Sequence, residues 1–142
     1  MFSREESRQL REHFWISFGK SYPKKWVLYN TKIKDFSFKF YFDTTVARVT
    51  LDLETMDLEK RRDLWDTLVS IRSILIDQYL PAAIFDNGHV LENGKEISRI
   101  YVELQGVSIH NKDTWQRTMV FLNENMLLFE AFFEDYGDMI NS

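Results

Sequence analysis

The chain of 142 residues contains no cysteine, only two prolines and only five glycines. The absence of cysteine excludes disulfide scaffolds, thiolate zinc sites, iron–sulfur clusters and cysteine nucleophiles, and it is typical of a reducing compartment. No linker-like run, repeat or low-complexity tract is visible. We therefore expect residues 1–142 to form a single domain, which at this size folds without a metal or a disulfide.

Long apolar runs are missing as well. No stretch approaches the roughly 18 uninterrupted apolar residues that a membrane span requires. Residues 1–15 carry charges where a signal peptide would have an apolar core. These absences predict a cytoplasmic protein with no membrane association.

The motifs of common catalytic and cofactor sites are also absent. His13, His89 and His110 are the only histidines, and no two of them lie at metal-ligand spacing. There is no GxSxG elbow and no glycine-rich phosphate loop. The sequence therefore predicts no metal, no cofactor and no catalytic residue. It favours a protein that is not an enzyme, although a Ser–His–Asp triad can also be assembled from distant positions.

Charge is distributed unevenly, although the net charge is only −4. Residues 1–48 contain ten Lys or Arg and five Asp or Glu, a balance of +5, whereas residues 49–142 carry −9. Such an asymmetry either orients a charged partner or lets the two halves of the chain pair with each other.

An alternating run of phenylalanines gives the clearest strand signal. Residues 36–42 place Phe at every second position, and residues 44–54 alternate apolar and polar side chains in the same way. Pairing Phe40 with Val49 puts every apolar side chain on one face, whereas a slip of one residue would expose all four phenylalanines. The pattern predicts a hairpin whose phenylalanines line the core, with Lys39 on its outward face.

Three amphipathic helices are predicted. The first begins at Ser3, which forms a capping box with Glu6. The second covers residues 57–79 and is stopped by Pro81, and the last follows the cap residue Asn111. Apolar side chains recur at spacings of three and four in each of them.

Further strands follow from shorter signals. Residues 25–30 favour a short strand, and residues 97–104 favour a longer one that follows turn signals at Asn87-Gly88 and Asn93-Gly94. The element order predicts an α+β fold. We expect a two-layer sandwich in which a mainly antiparallel sheet of about five strands packs against three helices.

Three segments resemble a known protein family: HFWISFGK (13–20), SRIYVELQG (98–106) and KDTWQRTMVFLNENMLLFEAFF (112–133). Their aromatic and apolar spacings are similar to those of the bacterial family described as domain of unknown function 4268, over nearly the whole chain. The resemblance implies a domain that occurs alone or behind a predicted nuclease-like domain. It assigns no reaction and no residue with a role, so it leaves function open with a slight inclination toward nucleic-acid biology.

Five carboxylates can be compared with restriction-type nucleases, which hold a metal with an acid on one strand and Glu-x-Lys on the next. One set is Asp43 with Asp52 and Glu54, and the other is Asp86 with Glu103. Neither set has a lysine at the required place, and Asp and Asn are also ordinary turn residues. A degenerate restriction-endonuclease-like domain is therefore one alternative, and spacing does not decide whether the five carboxylates converge.

A basic and aromatic segment is the main candidate for binding. Residues 20–39 contain six lysines and a single acid, Asp35, with aromatic residues between the lysines. Lysines contact phosphates and aromatic rings stack on unpaired bases. The outward face of the hairpin extends this segment. The candidate binding residues are therefore Lys24, Lys25, Trp26, Lys32, Lys34, Lys39, Tyr41 and Arg48.

Two observations limit the nucleic-acid hypothesis. The sequence pI near 5.4 is low for a nucleic-acid-binding domain. Lysines near edge strands also serve to prevent aggregation. The sequence favours a small non-catalytic interaction or accessory domain, with a nucleic-acid-binding accessory domain as the alternative and an acidic protein as another partner. A homodimer is also predicted, provided that an aromatic side chain of the last helix (Phe129, Phe132, Phe133 or Tyr136) lies outside the core.

Overall fold

The protein folds into one four-stranded antiparallel sheet and four α-helices, and the computed structural model describes residues 1–142. The strand order in the sheet is β1-β2-β4-β3, and a 3-10 turn over residues 112–114 precedes the last helix. The elements are α1 (Arg4–Ser21), β1 (Phe36–Phe42), β2 (Val46–Leu53), α2 (Leu58–Ser70), α3 (Arg72–Gln78), β3 (Ile84–Val90), β4 (Glu96–Gln105) and α4 (Trp115–Ile140). This confirms the predicted α+β class with an antiparallel sheet. No helix combines the length and the apolar character needed to cross a bilayer.

The predicted hairpin register is confirmed. In the β1–β2 pair, Phe40 lies opposite Val49, and the pairing runs without interruption from Phe36 with Leu53 to Phe42. Three of the four phenylalanines are buried, and Phe40 is half-buried. One face of the sheet is therefore apolar along both strands, as a period of two requires.

The helices pack on this apolar face. Phe14 of α1 lies 4.6 Å from Phe42 between ring centroids, and Phe129 of α4 lies 5.7 Å from Phe38. The two sides together form a cluster of 28 buried apolar residues, to which all four helices contribute. The capping box of Ser3 and Glu6 at the start of α1 is present as predicted.

The predicted helix over 57–79 is wrong in one respect, because it divides at Ile71 into α2 and α3. The hydroxyl of Thr67 donates to the Asp63 carbonyl, and the hydroxyl of Ser70 donates to the Thr67 carbonyl. These bonds compete with the helical ladder in the last turn of α2. Four helices are formed where three were expected.

The predicted strand over residues 25–30 is also wrong, so the sheet has four strands and not five. Leu28 takes a positive φ of 46°, which no extended strand accommodates. Its carbonyl nevertheless accepts a hydrogen bond from the Phe38 amide at 3.0 Å. The segment therefore covers the free edge of β1 without joining the sheet.

Only one of the two Asn-Gly turn signals forms the hairpin turn. Gly94, with a φ of 84°, lies between β3 and β4, whereas Asn87-Gly88 lies inside β3 at an irregularity in its pairing. The Asn87 side chain accepts a hydrogen bond from the Ser98 hydroxyl at 2.7 Å, which holds the bulge against β4.

Candidate functional site

The outer face of the sheet, opposite the helices, carries the candidate site. Strand residues alternate between faces, so the side chains between the core positions project to this side. The β1–β2 and β2–β4 registers bring six of the projecting side chains into two adjacent rows. One row is Lys39, Thr50 and Tyr101, and the other is Tyr41, Arg48 and Glu103.

A buried ion pair lies beside these rows. Arg99 of β4 holds Asp52 of β2 with two parallel hydrogen bonds, Nε to Oδ1 at 2.7 Å and Nη2 to Oδ2 at 2.9 Å. The Asp52 side chain is completely buried. Burial alone would lower the pKa of Arg99, but the hydrogen bond and charge of Asp52, together with the charges of Glu54 and Asp86, outweigh it and raise the pKa above the ordinary value. This geometry makes the pair a fixed part of the site.

His89 extends the ion pair, and its contacts indicate its tautomer. Arg99 Nη1 lies 2.9 Å from His89 Nε2, and His89 Nδ1 lies 3.3 Å from Asp86 Oδ2. A guanidinium can only donate, so Nε2 is the acceptor and the ring proton lies on Nδ1, facing Asp86. Asp86, His89, Arg99 and Asp52 therefore form one continuous chain of polar contacts.

Lys39 connects the buried pair to a second acid. Its Nζ lies 2.7 Å from Glu54 Oε2 and 3.5 Å from Asp52 Oδ2. The Lys39 side chain is 45% exposed, so its ammonium still faces solvent.

Arg48 is held by an acid and by two aromatic rings. Its Nε donates to Glu103 Oε1 at 2.7 Å, and its guanidinium carbon lies 5.2 Å from the Tyr41 ring centroid and 6.0 Å from that of Tyr101. Hydrogen bonds from Gln105 and from Arg48 lower the pKa of Glu103. Nη1 and Nη2 of Arg48 make no hydrogen bond within the protein.

Asp43 organises the turn beside this cluster. Its Oδ1 accepts hydrogen bonds from the amides of Thr45 and Val46, both at 2.8 Å, and its Oδ2 accepts one from the Tyr41 hydroxyl at 2.7 Å. Burial raises the pKa of Asp43, but these hydrogen bonds outweigh it and lower the pKa overall. The bond to Asp43 in turn raises the pKa of Tyr41.

A cleft of about 400 Å³ opens on the outer face, and the polar side chains that line it include Lys39, Tyr41, Arg48, His89 and Arg99. Thr50 belongs to its lining and is only 2% exposed. The Thr50 hydroxyl is the one buried side-chain polar atom in the protein that has no hydrogen-bond partner. Val90 and Leu91 of the β3–β4 hairpin contribute the apolar part of the lining.

The structure divides the predicted binding residues into three groups. Lys39, Tyr41 and Arg48 meet on the outer face, as the hairpin register predicts. Lys24 and Trp26 lie on the helix side of the sheet, where Lys24 pairs with Glu130 of α4 at 2.5 Å and Trp26 packs against the core residue Phe40. Lys24 and Trp26 are therefore engaged with the helix side and do not join the three outer-face residues.

The remaining predicted lysines lie on the loop that joins α1 to β1. Lys25, Lys32 and Lys34 are exposed and form no ion pair. Tyr29, on the same loop, is 84% exposed. This part of the predicted set is free of protein partners.

The five carboxylates compared with a nuclease have separate partners. Asp52 binds Arg99, Glu54 binds Lys39 and Glu103 binds Arg48, while Asp43 closes its turn and Asp86 faces His89. No group of three His, Cys, Asp or Glu side chains is placed to hold a metal ion. Of these carboxylates, Asp52 and Glu54 come together around Lys39.

One serine–histidine contact occurs outside the sheet. Ser7 Oγ lies 2.8 Å from His110 Nε2, and the ring of Phe2 stacks on the imidazole at 4.4 Å between centroids. No carboxylate binds the other ring nitrogen. The contact holds the start of α1 to the segment before α4.

Sequence reasoning missed Arg99 and His89 as members of the site. Arg99 reaches Asp52 only through the pairing of β2 with β4, which are separated by two helices and β3 in the chain. His89 reaches Arg99 only because the bulge in β3 shifts its register. A useful signal was available in Arg99, which alternates with the apolar residues of β4 and so must face outward.

Comparison with protein families gives one match. The family model described as Domain of unknown function (DUF4268) matches residues 10–137, which is most of the chain. No curated protein and no solved structure matches the chain.

Proposed function

The chain belongs to the family described as domain of unknown function 4268, and this membership assigns it no reaction. We propose that the protein is a small non-catalytic interaction domain that binds its ligand on the outer face of its sheet. The observation that carries this proposal is the cleft beside Arg48, Thr50 and Lys39. It combines fixed charges, apolar walls and one unpartnered buried hydroxyl.

The electrostatics of the outer face favour binding over proton transfer. A general acid or base works best with a pKa near the working pH. Here the pKa values of Asp43 and Glu103 are lowered and that of Tyr41 is raised, each away from neutrality. These groups keep one charge state near pH 7, which suits the recognition of a ligand.

Mapping of bound fragments tests this proposal. Isotope-labelled protein is titrated with a library of small fragments, and amide shift changes are recorded by NMR. We expect the changes to cluster at Tyr41, Arg48, Thr50 and the β3–β4 hairpin. Arg48→Met should reduce them, whereas the matched change of the exposed and unpaired Arg62 to Met should not. Shift changes that cluster elsewhere would contradict the proposal, for example in the cavity of about 310 Å³ between residues 30–33 and the end of α4.

A nucleic-acid-binding accessory domain is the second candidate function. The observation in its favour is that Lys25, Lys32 and Lys34 are exposed, free of ion pairs and close in sequence to the exposed Tyr29. Lysines in this state can neutralise phosphates while the aromatic ring stacks on a base.

Binding to a fluorescent single-stranded oligonucleotide tests the second candidate. We expect measurable affinity that falls steeply with salt, and a loss of at least about tenfold when Lys25, Lys32 and Lys34 are all changed to Ala. The matched control changes Lys60, Lys95 and Lys112 to Ala, which removes the same charge from other elements. Equal affinity of the two triple variants would reject the loop as a nucleic-acid site.

A degenerate restriction-endonuclease-like domain is the weaker alternative. Its metal ligands would come from Asp43, Asp52 and Glu54 or from Asp86 and Glu103. Asp52, Glu54 and Glu103 are each paired with a neighbouring cation, while Asp43 binds its own turn and Asp86 faces His89. A degenerate domain of this kind would keep binding to DNA without cleaving it. Metal-dependent cleavage of DNA that disappears on changing Asp52 to Asn would therefore contradict both this alternative and the non-catalytic domain, and would indicate an active nuclease.

A further inference from the structure

The unpartnered hydroxyl of Thr50 is evidence that the outer-face cleft binds a ligand. Buried polar groups are nearly always hydrogen-bonded, because an unpaired one loses its bonds to water and gains nothing in return. Thr50 lies between Lys39 and Tyr101 in the sheet register, and its Oγ1 has no protein partner. The cleft that it lines is the place from which such a partner can come.

Arg48 offers two further donors at the same place. Glu103 occupies its Nε, and the rings of Tyr41 and Tyr101 hold the guanidinium plane, so Nη1 and Nη2 remain available together. A pair of guanidinium nitrogens matches the two oxygens of a carboxylate or phosphate group. Lys39, across the strand from Thr50, adds an ammonium.

The charges around the cleft limit an anionic ligand to a single negative charge. Lys39, Arg48 and Arg99 line the cleft, but Glu92 also lines it, and Glu54, Glu103 and Asp52 are paired with the three cations. Three cations thus face four carboxylates, and the cleft has no net positive charge. The free donors of Arg48 bind one oxyanion group by short-range hydrogen bonds, whereas a dianion would meet stronger repulsion from the surrounding acids.

The walls of the cleft define the rest of the ligand. Val90 and Leu91 of the β3–β4 hairpin supply an apolar surface next to the donors, and a volume of about 400 Å³ lies in the range of small-molecule sites. We infer that the outer-face cleft binds a carboxylate carried on a short apolar or aromatic body, through Arg48, Lys39 and Thr50. This inference rests on the proposed function, which places binding on the outer face.

Two sources can present this chemistry: a free organic acid or the terminal carboxylate of a peptide. The experiment distinguishes them by titrating isotope-labelled protein with two pairs of probes and following amide shifts. The first pair is hydrocinnamate and its neutral amide. The second pair is the peptide Gly-Gly-Phe with a free and with an amidated C-terminus. A third probe, phenyl phosphate, tests the preference for a single charge.

We expect hydrocinnamate to bind at least about tenfold more tightly than its amide, in keeping with a charged hydrogen bond. Phenyl phosphate should bind more weakly than hydrocinnamate. Tighter binding of the free peptide than of hydrocinnamate would identify a peptide terminus as the source, and the reverse order would identify a free acid. Equal affinity for acid and amide, or tighter binding of phenyl phosphate, would overturn the inference.

Two variants and one control connect the affinity to the named residues. Thr50→Val keeps the shape of the side chain and removes the hydroxyl, so the fold should be retained while hydrocinnamate binds at least about tenfold more weakly. Arg48→Met should give a similar loss, and Arg62→Met should give none. Unchanged affinity in Thr50→Val would overturn the inference, and this variant decides the matter even if Arg48→Met does not fold.

The outcome separates this inference from the proposed function. If fragments still map to the outer face but no carboxylate binds there, the ligand class is wrong and the binding surface is retained. If nothing maps to the outer face, both are wrong.

Discussion

At the scale of single residues, the pair of Asp52 and Arg99 is the most buried charge interaction in the protein. Asp52 is fully enclosed, and Arg99 meets both of its oxygens. Two charges taken out of water depend on each other, because either one alone would remain buried without compensation.

We therefore predict that Arg99→Met lowers the free energy of unfolding by about 3–5 kcal/mol, measured by urea denaturation. The double variant Asp52→Leu with Arg99→Met should recover most of this loss, because it removes both charges. A double variant no more stable than Arg99→Met would show that the pair is not what holds this part of the sheet.

Asp43 explains why the β1–β2 turn forms without glycine. Its Oδ1 binds the amides of Thr45 and Val46, so the side chain takes the place of a turn hydrogen bond. Its pKa in the folded state is lower than the ordinary value near 3.8. The stabilisation is therefore complete above that value, and it is lost as pH falls through the lower folded-state pKa.

Asp43→Asn keeps an acceptor oxygen but does not titrate. We expect this variant to lose less stability than the parent protein between about pH 5 and about pH 2, measured by urea unfolding at each pH. The exposed Asp66, changed to Asn, is the matched control and should follow the parent curve. Parallel curves for the parent and Asp43→Asn would contradict the assignment.

At the scale of elements, β1 separates stability from binding. Its phenylalanines face the helices, while Lys39 and Tyr41 face the cleft. We predict that Phe38→Ala costs about 3–5 kcal/mol of unfolding free energy, because it leaves a cavity under α4. In conditions where the variant is folded, fragment binding at the outer face should be retained. Normal stability with selectively lost binding would reverse the assignment of the two faces.

The loop before β1 contains a residue, Lys32, whose backbone conformation is strained. Lys32 has a φ of 67°, a region in which residues other than glycine are disfavoured, whereas Lys34 has no positive φ. The loop is held in place by Glu130 of α4, whose carboxylate accepts a hydrogen bond from the Val27 amide at 2.7 Å and pairs with Lys24.

The two lysines form a matched test of this strain. Lys32→Gly should leave the protein more stable than Lys34→Gly by about 1 kcal/mol or more, because glycine relieves the positive φ only at residue 32. Both changes remove the same charge and are compared by thermal or urea unfolding. Equal stability of the two variants would show that the conformation of Lys32 costs nothing.

At the scale of the whole molecule, the two oppositely charged parts of the chain pair with each other. Lys24, Lys39 and Arg48 come from the basic residues 1–48, and their partners Glu130, Glu54 and Glu103 come from the acidic remainder. Part of the charge asymmetry of the sequence is therefore neutralised by ion pairs within the fold.

These interactions should make stability depend weakly on salt. Raising NaCl from about 0.05 M to about 1 M should lower the unfolding free energy by about 1–2 kcal/mol, because exposed pairs are individually weak and are screened. A variant with Arg48→Met and Glu103→Met should show a smaller salt effect. A protein that becomes steadily more stable over this range would contradict the prediction.

The predicted homodimer loses its original motivation in the structure. Phe129 and Phe132 of α4 are buried, and Phe133 and Tyr136 pack against the core. A dimer stays a prediction that sedimentation can test, and its contact would have to use other residues of the surface.

The sequence alone determined the features of this protein that are formed by residues close together in the chain. The capping box at Ser3, the period of two in β1 and the register of β1 with β2 depend on residues close together in the chain, and each was predicted correctly. The outward position of Lys39, Tyr41 and Arg48 followed from the same register.

Only the tertiary structure decided the rest of the fold and the site. The contact of Arg99 with Asp52 requires strands far apart in the chain to pair, and His89 joins them because a bulge shifts its register. The break at Ile71 and the loop over residues 25–30 follow from side-chain hydrogen bonds and long-range anchoring that outweigh local propensity. Local patterns specify which face of an element is apolar. Which elements meet, and therefore which polar side chains converge in the cleft, depends on burial summed over the whole chain.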